Sequence, residues 1–210
     1  MAAKAYSAAK KIDPHTHPSY LLGVAVTASL ATNYSKKGEH KFFIAIQTYK
    51  YSSSFSYSFV KGELSRDQEE KMVTHHIIQA LAEACGIQGL QLKETDRLKL
   101  KTVNAKKPWV QLVDNQIDFV ASSNRMPELI FPGSFNPFHS GHKEMSKLAE
   151  SKTGLGLAYE ICIQNADKPP LSYHEIERTL SQFDQNNHWV LTKAGKFTDK
   201  AALFPNSVFI

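Results

Sequence analysis

Residues 128–150 read ELIFPGSFNPFHSGHKEMSKLAE, and the order of the pieces in this stretch sets the fold. ELIF, at 128–131, is a short apolar run of the kind that forms a buried strand. It gives way to a loop of Pro132, Gly133, Ser134, Phe135, Asn136 and Pro137, then to His139-Ser140-Gly141-His142 and a helical pattern. Gly133 suits a turn where a bulky ligand must come close to the backbone. Gly141 removes a side chain from the helix start, where free backbone N–H groups and the helix dipole make an anion site. His139 and His142, three residues apart, flank that start, and each can donate a hydrogen bond to a phosphate oxygen. Alone, such a pair more often caps and packs a helix. Between a strand and a helix, behind a glycine loop, it points to phosphoryl or nucleotidyl transfer, where catalysis is mostly positioning and charge stabilisation.

Working downstream, 158–163 reads as a second strand, followed by a loop from Asn165 to Ser172 that carries Lys168. Ser172 and Glu175 make a capping box for a helix through Ile176, Leu180 and Phe183. A third strand at 188–192, a helix near 198–204 and the start of a fourth strand at 207–210 complete the pattern. Strands alternating with helices imply parallel βαβ units and a doubly wound sheet. Ligands in such sheets sit at the carboxyl ends of the strands, where the HSGH loop falls.

Upstream, 88–124 loses apolar periodicity, and 109–110, 112–113 and 117–120 read as short strands or a helix. The expected division is a first domain at 1–88, a linker at 89–126 and a second domain at 127–210. In the first domain, the Ala/Lys-rich start predicts a helix over 1–11 that Asp13-Pro14 stops. LLGVAVT at 21–27 reads as a strand buried on both faces, and 41–48 and 54–61 as two more, joined through 49–53. Phe55, Tyr57 and Phe59 alternate with serines, which predicts a half-buried sheet face in preference to a base-stacking surface. Ser65, with Gln68, opens a helix over 66–85, and Gly86 ends it. His75 and His76 adjoin on that helix, point to different sides and make a poor metal pair.

Composition narrows the class further. The chain has 210 residues, 42% hydrophobic and 21% charged, with 25 Lys and Arg against 20 Asp and Glu, a net charge of +5. That is the make-up of an ordinary globular chain of one large or two small domains. No apolar run reaches the roughly 20 residues of a membrane span, and 1–12 lacks the apolar core of a secretory signal. Cys85 and Cys162 stand far apart, which supports neither a disulfide framework nor a zinc site. The expectation is a cytoplasmic protein with no membrane partner. The lysines are scattered, the densest run being 93–107, so no nucleic-acid partner is expected. Trp109, Phe135, Tyr173 and Trp189 could stack on a base, although core packing is the commoner role.

GSFNPFHSGH resembles the signature of the HxGH nucleotidylyltransferase superfamily, in its nicotinamide/nicotinate mononucleotide adenylyltransferase and cytidylyltransferase-like branch. The resemblance implies a Rossmann-like second domain that binds ATP or CTP with Mg²⁺. It would transfer a nucleotidyl group to a phosphate-bearing acceptor, such as nicotinamide or nicotinate mononucleotide, releasing pyrophosphate, a step of NAD biosynthesis. His139, His142 and Lys168 would be catalytic; Gly133, Ser134, Phe135, Asn136 and Gly141 would bind the nucleotide; no protein metal ligand is implied. The first half, from GVAVTASLAT through KGEHKFFIAIQT to the RDQEE helix, is similar to the latter part of a CinA-type, nicotinamide-nucleotide-amidase-like domain. That implies a smaller α/β domain ahead of the Rossmann-like one, and a homo-oligomer as its assembly. The serine motif of such amidases is not found before Leu21, which counts against an amidase. A later Ser/Thr-rich motif ending in arginine is also missing by Ile210, as in a domain truncated at its carboxyl end. The alternative to an enzyme is a non-catalytic nucleotide-binding or sensor module that retains the phosphate loop.

Overall fold

In the computed structural model, which describes residues 1–34, 36–90, 92–165 and 168–210, the chain divides into Met1–Asn104 and Ala105–Ile210. The division falls inside the stretch read as a linker. That stretch carries structure on both sides of the break: β4 (Leu98–Asn104) before it, α3 (Lys107–Val113) and β5 (Phe119–Ala121) after it. Its weak periodicity has a simple cause, since β4 and β5 are edge strands with only one neighbour to satisfy. A small α/β unit thus precedes the second one, as expected.

The first unit contains α1 (Ala2–Ile12), β1 (Leu22–Ser29), β2 (Lys41–Thr48), β3 (Tyr51–Ser58) and α2 (Arg66–Ala84), followed by β4. Its four strands lie in the order β1-β2-β3-β4, antiparallel throughout. β1 is therefore an edge strand, contrary to the two-sided burial its apolar run suggested, and Val26 is 38% exposed. A continuous apolar run is what a central parallel strand requires, but a helix can supply the second layer instead. Here α1 supplies it: a Cβ on Gly23 would lie 2.2 Å from Ala2 O and 2.4 Å from Tyr6 N, so the helix backbone rests directly on the strand. β3 begins three residues earlier than predicted because the β2–β3 connection is a tight turn, in which the Thr48 hydroxyl accepts from Lys50 N and Tyr51 N.

On the other face, Phe42, Ile44, Ile46 and Phe55 pack with Val73 and Ala80 of α2. Each such side chain contributes about 1.5–3 kcal/mol by leaving water. The aromatic alternation of β3 thus builds core, with Phe55 and Phe59 buried and Tyr57 packed beside them. α2 begins at the predicted capping box, where Ser65 N donates to Gln68 Oε1 at 2.8 Å and Gln68 N to Ser65 Oγ at 3.4 Å. Its two histidines diverge: His75 is exposed, whereas His76 packs against Phe42 and Tyr57 and bonds Met72 O through Nδ1. Glu69, fully buried, accepts from Ala31 N at 2.6 Å and bonds His40 Nδ1 at 2.9 Å, tying the β1–β2 connection to α2.

The second unit continues from α3 and β5 through β6 (Leu129–Pro132), α4 (Ser140–Thr153), β7 (Leu157–Cys162), α5 (Tyr173–Leu180), β8 (His188–Thr192), α6 (Phe197–Leu203) and β9 (Val208–Phe209). The strand order is β5-β8-β7-β6-β9. β6 to β9 are parallel, as predicted, and β5 adds an antiparallel edge beside β8. The chain steps outward from β6 to β7 to β8 and then returns past β6 to β9, so the winding direction reverses beside β6. With right-handed crossovers, α4 and α5 cover one face and α6 the other. Two successive residues of β7 demonstrate both layers. Tyr159 donates to Ser146 Oγ of α4 at 2.7 Å, while Glu160, pointing the opposite way, bonds Lys200 Nζ of α6. This is a Rossmann-like α/β fold, preceded by a mixed α/β unit.

Candidate active site

The phosphate loop leaves the carboxyl end of β6, beside the reversal in strand order where doubly wound sheets bind ligands. Gly133 N donates to Glu160 O at 2.9 Å, which extends the β6–β7 ladder one residue into the loop. Beyond it the chain turns on Phe135, whose backbone is left-handed at φ +44°. A bulky residue holds that conformation at a cost of about 1 kcal/mol or more. The ring offsets the cost by burial: it is 2% exposed and packs among Phe131, Phe138, Tyr159 and Phe183. It also fills the space a side chain on residue 133 would take, since a Cβ there would lie 2.5 Å from the ring. Gly133 is thus required by Phe135, and not only by an approaching ligand. Phe135 offers a ligand its backbone at most, which corrects any stacking role for its ring. Trp109 and Tyr173 are also core residues, 2% exposed and stacked on each other at 6.2 Å.

Ser134 and Asn136 are exposed on the outer side of the loop. The loop is clipped in place by Gln182, just beyond α5: its Nε2 donates to Phe135 O at 3.0 Å and its Oε1 accepts from Phe138 N at 2.8 Å. Nothing in the sequence singled out Gln182, because a glutamine in a polar run carries no periodic signal.

His139 is the N-cap of α4 and His142 its third residue. Their rings stack with centroids 3.7 Å apart, and His142 also lies parallel to Phe138, at 5.7 Å. A Cβ on Gly141 would sit 3.2 Å from His139 Nδ1, so the glycine leaves room for that ring over the helix start. His139 N donates to His142 Nδ1 at 3.2 Å. An accepting Nδ1 carries no proton, so neutral His142 bears its hydrogen on Nε2, ready to donate outward. Burial, and secondarily the neighbouring His139, hold the His142 imidazole below its ordinary range. The neutral donor form is therefore favoured near neutral pH.

Lys168 is exposed in the loop after β7, a loop closed by Leu171 N donating to Ile163 O at 2.9 Å. Residues 166 and 167 of that loop lie outside the described residues. Among the described residues no hydrogen bond or ion pair joins Lys168 to either histidine, while ring contacts of His142 with Phe135 and His139 bring the glycine loop and the histidine pair together. Two other lysines near the strand ends are engaged elsewhere. Lys193 Nζ donates to Val113 O and Asn115 Oδ1, capping the end of α3. Lys200 is buried against Glu160, whose second oxygen accepts from Thr192 Oγ1. A separate cleft of about 360 Å³ runs beside α4, past Lys147, Asp184 and His188, toward the amino ends of β7 and β8 and away from the loop.

The loop presents imidazole and backbone N–H donors. That set suits phosphate oxygens and does not suit direct coordination of a hard divalent cation, which takes oxygen ligands. Among the described residues no group of three or more His, Cys, Asp or Glu could hold a metal ion, and no helix is long and apolar enough to cross a membrane.

Residues 130–201 match the family described as cytidylyltransferase-like. The match begins inside β6, spans the loop, both histidines and Lys168, and ends within α6, covering about a third of the chain. It supports a nucleotidyltransferase role for this domain. No curated protein and no solved structure gave a match.

Proposed function

We propose that the chain transfers a nucleotidyl group from ATP or CTP to a phosphate-bearing acceptor, such as nicotinamide or nicotinate mononucleotide, with release of pyrophosphate. The observation that carries the reading is the pairing of His142, whose Nε2 keeps the ring hydrogen, with the opening of α4, where the Ser140 and Gly141 N–H groups lie outside the capping box that engages those of His139 and His142. Phosphates lying over that helix start would accept from both. An acceptor phosphate oxygen then bonds to the α-phosphorus, and the bond from that phosphorus to the bridging oxygen breaks. The electron pair leaves with pyrophosphate, whose growing charge the two imidazoles and the helix start stabilise. No covalent enzyme intermediate is required. Mg²⁺ would enter bound to the triphosphate oxygens, supplying further charge neutralisation, with no protein ligand assigned to it. Lys168 would add its ammonium to the charge that neutralises the phosphates. The likeness of the first half to the CinA type is consistent with a mononucleotide acceptor, and a homo-oligomer is part of the same reading.

The test is pyrophosphate release, measured with ATP or CTP and each mononucleotide, from the wild-type chain and from His142→Ala. Release should be lost in the variant, by roughly 100-fold or more if the imidazole acts on transition-state charge. Equal turnover by the two proteins would refute the assignment.

A further inference from the structure

The whole positive excess of the chain lies in the first unit: Met1–Asn104 has 14 Lys and Arg against 9 Asp and Glu, while Ala105–Ile210 has 11 of each. Scattered in sequence, part of this charge is gathered by strand register. Directly paired residues of an antiparallel ladder share a face. Thr27, Phe43, Ser56 and Lys99 therefore form one row across all four strands, and Ala25, Ala45, Ser54 and Lys101 the next. Lys41, two residues from Phe43, stands on the same face between Ser29 and Ser58. The opposite face is the core under α2. At one end this outer face is covered by α1 above Gly23, but the row through Phe43 is open: Phe43 is 47% exposed, and Lys99 and Lys101 are exposed beside it.

Phe43 is the aromatic centre of an otherwise low surface of serine, alanine and threonine, and the long Lys41 side chain, the one group over its ring among the described residues, can swing aside for a planar group. Lys41 Nζ lies 5.7 Å from the ring centroid and 3.2 Å from Glu39 Oε2, an exposed ion pair that a phosphate would have to displace, and the two β4 lysines stand two strands away, about 10 Å across the sheet. An aromatic platform flanked by cations is what stacks an unpaired base while holding the neighbouring phosphates. We propose that this sheet face binds single-stranded RNA, with a base on Phe43, phosphates on Lys41, Lys99 and Lys101, and sugar hydroxyls on Ser54, Ser56 and Ser58. The charge disfavours a second copy of the chain, which would bring the same lysines together, and one aromatic ring is too small an apolar patch for a lipid surface. The serine hydroxyls select RNA over DNA through the 2′-OH. The proposal does not depend on the nucleotidyl-transfer reading.

It is tested on the full chain by fluorescence anisotropy with labelled oligouridine of about 12 nucleotides, the matching oligothymidine, and heparin, across a salt series. Oligouridine should bind more tightly than oligothymidine. Phe43→Ala should weaken binding roughly tenfold. Lys99→Ser with Lys101→Ser should lower the slope of log affinity on log salt by about 1.4, two phosphate contacts on a single strand. Circular dichroism melting would establish that both variants are folded, and His142→Ala should bind oligouridine as the wild type does. Four results would each overturn the proposal: no binding of oligouridine at low salt, an affinity indifferent to Phe43→Ala, equal binding of oligothymidine, or a loss in His142→Ala. Heparin binding that matches RNA in affinity and in its response to every variant would also overturn it, reducing the face to an unselective polyanion surface.

Discussion

Gly133 and Phe135 occupy one space between them, and the cost of disturbing that arrangement can be measured. Gly133→Ala drives a methyl into a ring that is 2% exposed and surrounded by other aromatics. Overpacking of this kind costs about 1–3 kcal/mol, so the urea midpoint should fall by the corresponding amount. An unchanged midpoint would mean that the ring can leave its site freely. At His142 the expectation concerns protons. The unfolded imidazole titrates near its ordinary value of about 6.5, and burial lowers the folded one. Between the two values the unfolded chain binds more protons, so the contribution to stability is complete above about pH 6.5 and is lost as pH falls through the folded value. Nitrogen NMR should report an Nε2-protonated ring, with a titration midpoint that rises when a triphosphate binds, because an anion favours the charged form. A midpoint indifferent to triphosphate would put the ligand elsewhere.

The elements hold the site through a few side chains that reach between them. Gln182 joins the end of α5 to the loop by two hydrogen bonds, and Gln182→Ala should cost about 1–3 kcal/mol and speed amide exchange at Phe138. Protection at Phe138 equal to the wild type would show the loop to be held by its aromatics alone. Glu160 and Lys200 join β7 to α6. Lys200→Met leaves a buried carboxylate without its cation and should cost about 3–5 kcal/mol; adding Glu160→Leu should recover most of that, since an apolar pair has no charge to desolvate. A double variant as unstable as the single would assign the effect to packing. These ties were not legible in the sequence, where they are separated by about 40 residues or more. What was legible is local. The boxes Ser65–Gln68 and Ser172–Glu175 began α2 and α5, and the bounds of β2 and β8 follow directly from their apolar runs. The glycine–histidine stretch was legible for the same reason, all its pieces being contiguous. The edge position of β1 depends on how strands are ordered, which no single run encodes.

At the scale of the molecule, the chain is two units that divide between β4 and α3. Lys106 is exposed at that junction and is followed by Lys107, whose own bond to Pro108 resists trypsin. Limited digestion should therefore cut first after Lys106 and leave two resistant fragments of similar size, visible by mass spectrometry. Cleavage that instead begins within either half would show that half to be less well held than its core implies.

Gly23 has a meaning beyond its contact with α1. Valine or isoleucine would be the better strand former at that position, and either would evict the amino-terminal helix from the sheet. A designer optimising β1 alone would replace the glycine first and lose the domain's second layer. The position is judged by two elements with opposed requirements, and a residue that strand propensity disfavours is the one that satisfies both.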